Sequence, residues 1–119
     1  MTASRTSAAT VILSDANSVE LEDWGPAPEG TGAPMATHGK KLWVGNGQEV
    51  GLWKCAPGPS RWVFDGASEA ITILSGRMTV AEDNGQTHEV KAGDTVVFPS
   101  GWSGTWEIHE TIFKIYTLF

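Results

Sequence analysis

The sequence holds a single cysteine, Cys55. One thiol forms no intramolecular disulfide and supplies no multi-cysteine zinc site. Set in an apolar, strand-like run, Cys55 reads as an inert core residue rather than a nucleophile. Cations are also scarce: eight Lys and Arg stand against fourteen Asp and Glu, for a formal net charge of −6. With no basic stripe, the chain offers nothing to a polyanion, which excludes nucleic acid and an anionic membrane surface as expected partners. Long apolar runs are missing. The opening "MTASRTSAATVIL" has one Arg and a short apolar stretch before Asp15. That is too weak for a secretory signal and too short for a membrane span, so a cytoplasmic location is expected. No 3.6-residue periodicity stands out along the chain, and internal repeats go no further than two strand–turn–glycine phrases.

Apolar residues make up 40% of the 119 and charged residues 18%, which suits one soluble globular domain. Six tryptophans are the compositional oddity: Trp24, Trp43, Trp53, Trp62, Trp102 and Trp106. So many indoles in a small domain point either to a very aromatic core or to an aromatic-lined cavity. Residues 1–10 are rich in Ser, Thr and Ala and are expected to be a disordered tail. Residues 11–44 are expected to form an irregular N-terminal arm. Pro26, Pro28 and Pro34 with four glycines break any helix there, and "LWV" at 42–44 gives a short strand at most. From residue 45 the pattern changes. Strand-like runs at 48–55, 61–64, 69–74, 77–81, 86–90, 95–98, 104–109 and 111–119 are separated by Gly, Pro and Asn turns. Asn84-Gly85 marks a hairpin, because both residues tolerate positive φ. About eight short strands at this spacing predict an all-β, antiparallel barrel or sandwich.

"EAITILSG" (69–76) and "GDTVVFPSG" (93–101) then carry a resemblance. Glu69 is followed by six residues and Gly76; Gly93 is followed by five residues and Pro99-Ser100-Gly101. These spacings resemble the two motifs of the cupin superfamily, a jelly-roll barrel. "GLWKCAPG" (51–58), "FPSGWSGTWEIHE" (98–110) and the closing "IFKIYTLF" (112–119) are similar to a subgroup containing the ureidoglycine aminohydrolase cupin domain and the ethanolamine-utilisation cupins. The resemblance covers residues 45–119 and implies a single-domain jelly-roll barrel, with a metal held by three histidines and a glutamate. In register, those histidine positions are Trp62, Phe64 and Gly104, and only Glu69 is filled. A first-row metal needs three or four N/O ligands within ~2.0–2.6 Å, so no metal and no other cofactor is expected. His109 falls on the outer side of its strand, His88 near a turn and His38 in the arm, so all three read as solvated or structural.

Strand parity turns the missing ligands into a lining. Trp62 and Phe64 take the place of histidines and should face inward. Glu69 and Ile71 share a face, Val96 and Phe98 the next, then Trp106 and Ile108, with Trp53 and Cys55 on one face of theirs. Lys114 and Tyr116 share a face of the last strand, as inward polar partners or as a surface ion pair and a packed ring. The expected ligand-binding set is Trp53, Trp62, Phe64, Glu69, Ile71, Phe98, Trp106 and Tyr116, with Glu69 as the candidate catalytic carboxyl. Three functions follow as alternatives: metal-free binding of a small molecule, cationic or amide-bearing; hydrolysis of a ureido-type nitrogen compound, which the resemblance implies; or a non-catalytic structural dimer. A homodimer through strand edges or the Trp24/Trp43 arm is the expected assembly.

Overall fold

In the computed structural model, residues 8–119 are described. The tail expected at 1–10 therefore lies, through residue 7, outside the described residues. Eight strands follow one short 3-10 turn (Ala16–Ser18): β1 Glu22–Pro26, β2 Ala36–Gly45, β3 Gln48–Cys55, β4 Gly58–Val63, β5 Glu69–Glu82, β6 Thr87–Lys91, β7 Thr95–Phe98 and β8 Ser103–Leu118. Every pairing is antiparallel. Among the described residues, no helix is long and apolar enough to cross a membrane.

Two long strands organise the rest. β5 and β8 pair along most of their length, from Glu69↔Leu118 to Glu82↔Gly104. The far edge of β8 is shared: its second half pairs with β3 and its first half with β4. The far edge of β5 is shared likewise, by β7 at its start and by β6 at its end. This gives two halves, β1-β2-β3-β8-β5-β7 and β4-β8-β5-β6, whose facing apolar side chains make one core cluster.

The runs "EAITIL" and "RMTVA" are thus one strand rather than two, as are "GTWEIH" and "TIFKIYTLF". The register of β5 on β8 shifts at Ser75–Met78, and the buried residues of β5 change from odd positions (Glu69, Ile71, Ile73) to even ones (Met78, Val80). An inserted residue does this, because side chains alternate with a period of two. Gly76 sits at the shift with φ 94°, where any side chain is strained, and a methyl there would run into the Thr111 carbonyl.

The N-terminal segment departs furthest from expectation. Much of it is sheet: β2 has ten residues, and β1 pairs with it. Asn46 and Gly47, at φ 53° and 74°, form the tight turn into β3. By contrast, Asn84 does not have positive φ. Only Gly85 does, at 97°, after a turn closed by its N–H on the Glu82 carbonyl. The loop between β1 and β2 crosses to the other half of the barrel, where Thr31 N–H donates to the Pro59 carbonyl and Arg61 N–H to the Glu29 carbonyl. The arm covers its own barrel.

Candidate functional site

One mouth of the barrel holds a cavity of about 290 Å³, lined by Trp53, Trp62, Phe64, Glu69, Lys114 and Tyr116 from the barrel strands. Its outer wall comes from the N-terminal segment: Trp24, Ala27, Pro28, Glu29 and Thr37. Glu49 and Leu118 complete the rim.

At the base lies a buried ion pair. Lys114 Nζ donates to Glu69 Oε2 at 2.8 Å, with the lysine 2% and the glutamate 4% exposed. β8 places Lys114 opposite both Trp53 on β3 and Ile73 on β5. From there its ammonium lies 4.5 Å from the Trp53 ring centre and 4.8 Å from that of Trp106. Desolvating two charges costs several kcal/mol per ion. Here the charges offset one another, and the ring faces add attraction of about 0.5–2 kcal/mol per contact. The second carboxylate oxygen, Glu69 Oε1, is buried and has no hydrogen-bond partner among the described residues.

The aromatic wall is ordered by stacking. Trp62 lies flat on Trp106, with ring centres 4.1 Å apart and planes 20° apart, and meets Trp53 edge-on at 6.0 Å and 85°. Its indole N–H donates to Ser60 Oγ, which donates in turn to the Trp106 carbonyl. That fixes the ring, and Trp62 and Trp53 both line the cavity. Tyr116 donates its hydroxyl to Glu49 Oε2. Burial first, and then this hydrogen bond, raise the phenol's pKa above its ordinary range, so it stays protonated. Burial pushes the Cys55 thiol up to about 11, against the pull of Lys114 and with a smaller push from Glu29. Cys55 is a buried neutral thiol, not a nucleophile.

Of the residues expected to bind a ligand, Trp53, Trp62, Phe64, Glu69 and Tyr116 line this cavity. Ile71, Phe98 and Trp106 are buried in the core cluster behind it. Lys114 is no surface residue. Glu29, Glu49, Trp24 and Thr37 reach the cavity from the segment expected to be irregular and from the first strand after it.

The metal that a cupin barrel implies does not fit these residues. Trp62 and Phe64 offer no lone pair. Gly104 is paired with Glu82 and Trp62, and a methyl group there would meet the Ala81 carbonyl and the Trp102 ring. Glu69, the one ligand position that is filled, already spends Oε2 on the Lys114 ammonium. Among the described residues no three His, Cys, Asp or Glu side chains come together as a metal cluster.

Comparison with known proteins agrees with this architecture. Residues 45–116 match a family model described as an EutQ-like cupin domain. A Salmonella typhimurium LT2 protein described as ethanolamine utilization protein Q superposes with a TM-score of 0.66 at 19% identity, over 80% of this chain and 76% of that one. A DUF861-family protein of Thermotoga maritima is 31% identical over 57% of this chain and 76% of its own, at a TM-score of 0.55. Another T. maritima protein, described as a predicted oxalate decarboxylase, reaches a TM-score of 0.69 at 18% identity over 91% of this chain and 98% of its own. No curated protein sequence matches.

Proposed function

Because the chain belongs to the EutQ-like cupin domain family, a jelly-roll barrel that hosts unrelated chemistries, its function has to be argued from the cavity, and we propose that it binds a small molecule there without a resident metal. One observation carries this reading: Glu69 lines a cavity walled by indole side chains, and among the described residues its buried Oε1 has no partner. An unsatisfied buried carboxylate oxygen costs about 1–3 kcal/mol or more, and a ligand N–H or O–H removes that cost. A volume near 290 Å³ suits a metabolite rather than a polymer.

A screen of small metabolites by tryptophan fluorescence and thermal shift tests the reading. A true ligand changes the emission, because Trp53 and Trp62 line the cavity. Its binding survives chelator treatment and is lost in Trp62→Leu. Stoichiometric Mn, Fe, Ni or Zn in protein purified without added metal would overturn the metal-free part. Hits whose affinity is the same in Trp62→Leu would overturn the cavity as the site.

Hydrolysis of a ureido-type compound is the second reading. The free Glu69 oxygen favours it, since a carboxylate hydrogen-bonded to substrate is where a general base has to stand. Release of ammonia from such a compound, abolished in Glu69→Gln, would select it. A homodimer is part of the proposal as well: among the described residues β1, β6 and β7 each pair on one side only, which leaves edges for a second copy.

A further inference from the structure

The charge balance of the cavity names a ligand class. Three carboxylates line it, Glu29, Glu49 and Glu69, against one ammonium, Lys114. Glu49 has a partner on each oxygen, the Tyr116 hydroxyl on Oε2 and, more loosely, Lys41 at 3.8 Å from Oε1, a lysine 61% exposed at its side chain. Glu69 is half satisfied, by Lys114 on Oε2 alone. Glu29 engages its backbone carbonyl with Arg61 N–H, and its carboxylate finds no side-chain partner among the described residues. It stands close enough to the cavity floor to act electrostatically on Cys55, as Lys114 also does.

We infer that the cavity takes a small organic cation bearing N–H donors, a primary ammonium or a guanidinium, with one N–H on Glu69 Oε1 and its charge between Glu29 and the indole faces of Trp53 and Trp62. This inference rests on the binding cavity proposed above and gives its ligand a charge. Each element of the site argues against the alternatives. An anion would meet three carboxylates at short range. A neutral apolar molecule would leave Glu69 Oε1 unpaired. A quaternary ammonium would use the ring faces but has no hydrogen to give that oxygen. Lys114 does not turn the cation away, because its charge is already met by Glu69 at 2.8 Å and spread over the Trp53 and Trp106 faces.

Isothermal titration of the full chain with matched probes tests this. Methylguanidinium and N-methylurea have nearly the same shape and differ in charge. n-Propylammonium and tetramethylammonium differ in N–H donors, and acetate carries the opposite charge. Methylguanidinium and n-propylammonium are expected to bind about tenfold or more tightly than N-methylurea and tetramethylammonium, with acetate not binding. Glu69→Gln is expected to weaken methylguanidinium about tenfold. Since that change leaves Lys114 without its carboxylate, Glu29→Gln is the second variant. It keeps the buried pair and should weaken the cations about threefold or more while leaving N-methylurea unchanged. Equal affinity for methylguanidinium and N-methylurea would overturn the charge assignment and leave the cavity as a binding site. No heat with either N–H cation at tens of millimolar would overturn it as well. The Trp62→Leu screen judges the cavity separately.

Discussion

Among the described residues, Lys114 and Glu69 are each other's only charged partner within hydrogen-bond reach. A buried pair of this kind is costly to split and cheap to replace. Lys114→Met should lower stability by about 3–5 kcal/mol, because Glu69 is then left as an uncompensated charge. The double change Lys114→Met with Glu69→Leu should recover most of that loss, since two well-packed apolar side chains need no partner. Urea denaturation of the two variants checks both statements, and a double variant no more stable than the single one refutes the pairing. The sequence made Glu69 legible because its spacing to Gly76 survives. The last strand is only half legible: Lys114 and Tyr116 share a face by parity, and its inward direction comes from the structure. For Lys114 a surface ion pair stands as the alternative, because lysines are seldom buried without a partner, and the partner lies 45 residues away.

At the level of elements, the joins between strands were harder to read than the strands themselves. Ser75-Gly76 looks like a turn, and in most contexts a glycine after a strand is one. Here β5 continues through it, because β8 pairs with both sides of the shift. Gly76→Ala should cost about 1–3 kcal/mol from its backbone conformation alone, and more from the encounter with the Thr111 carbonyl. Thermal unfolding would measure it. A change under about 0.5 kcal/mol, the size usual for a neutral surface substitution, would show that the shift relaxes without a glycine. The β2–β3 hairpin carries its own signal in the sequence. Asn46-Gly47 is the same dipeptide as Asn84-Gly85, and it is the one that takes positive φ at both residues. Its strand is masked by breakers that lie mostly in β1 (Gly25, Pro26) and in the loop (Pro28, Gly30, Gly32, Pro34), with Gly39 inside β2 itself. With that hairpin went the outer wall of the cavity, Trp24, Glu29 and Thr37.

For the molecule as a whole, two titrations contribute to the pH dependence of stability, one at each end. Asp83 is held down to about 2 by Arg61, whose guanidinium donates to both its oxygens, and by Ser103. An acid depressed in the folded state contributes stability above its unfolded value of 3.8. That contribution is lost as pH falls from there through about 2. Cys55 moves the other way, from 9.0 up to about 11. Its folded state keeps the proton that the unfolded chain gives up, so stability is intact below pH 9 and declines as pH rises through 11. Denaturation midpoints across pH should fall at both ends. Asp83→Asn should flatten the acid limb and Cys55→Ala the onset of the alkaline one, and identical limbs in the variants would refute the assignments. The exposed ion pair pins the β5–β6 turn to β4 and β8, which is why a surface contact is coupled to the global transition. The all-β class, the antiparallel pairing and the aromatic character of the interior were legible in the alternation and turn residues. The division of β5 and β8 between two halves was not, because it is a property of long-range pairing.

The crossing of Trp53 and Trp62 has an optical consequence. Two indoles 6.0 Å apart with planes at 85° hold their electronic transitions close and non-parallel, which is the arrangement that yields an exciton couplet in circular dichroism. The far-ultraviolet spectrum of this sheet protein should carry that couplet on top of the β signal. Both rings line the cavity, so a guest that shifts either one changes the couplet's amplitude, and the barrel signals its own occupancy without any attached dye.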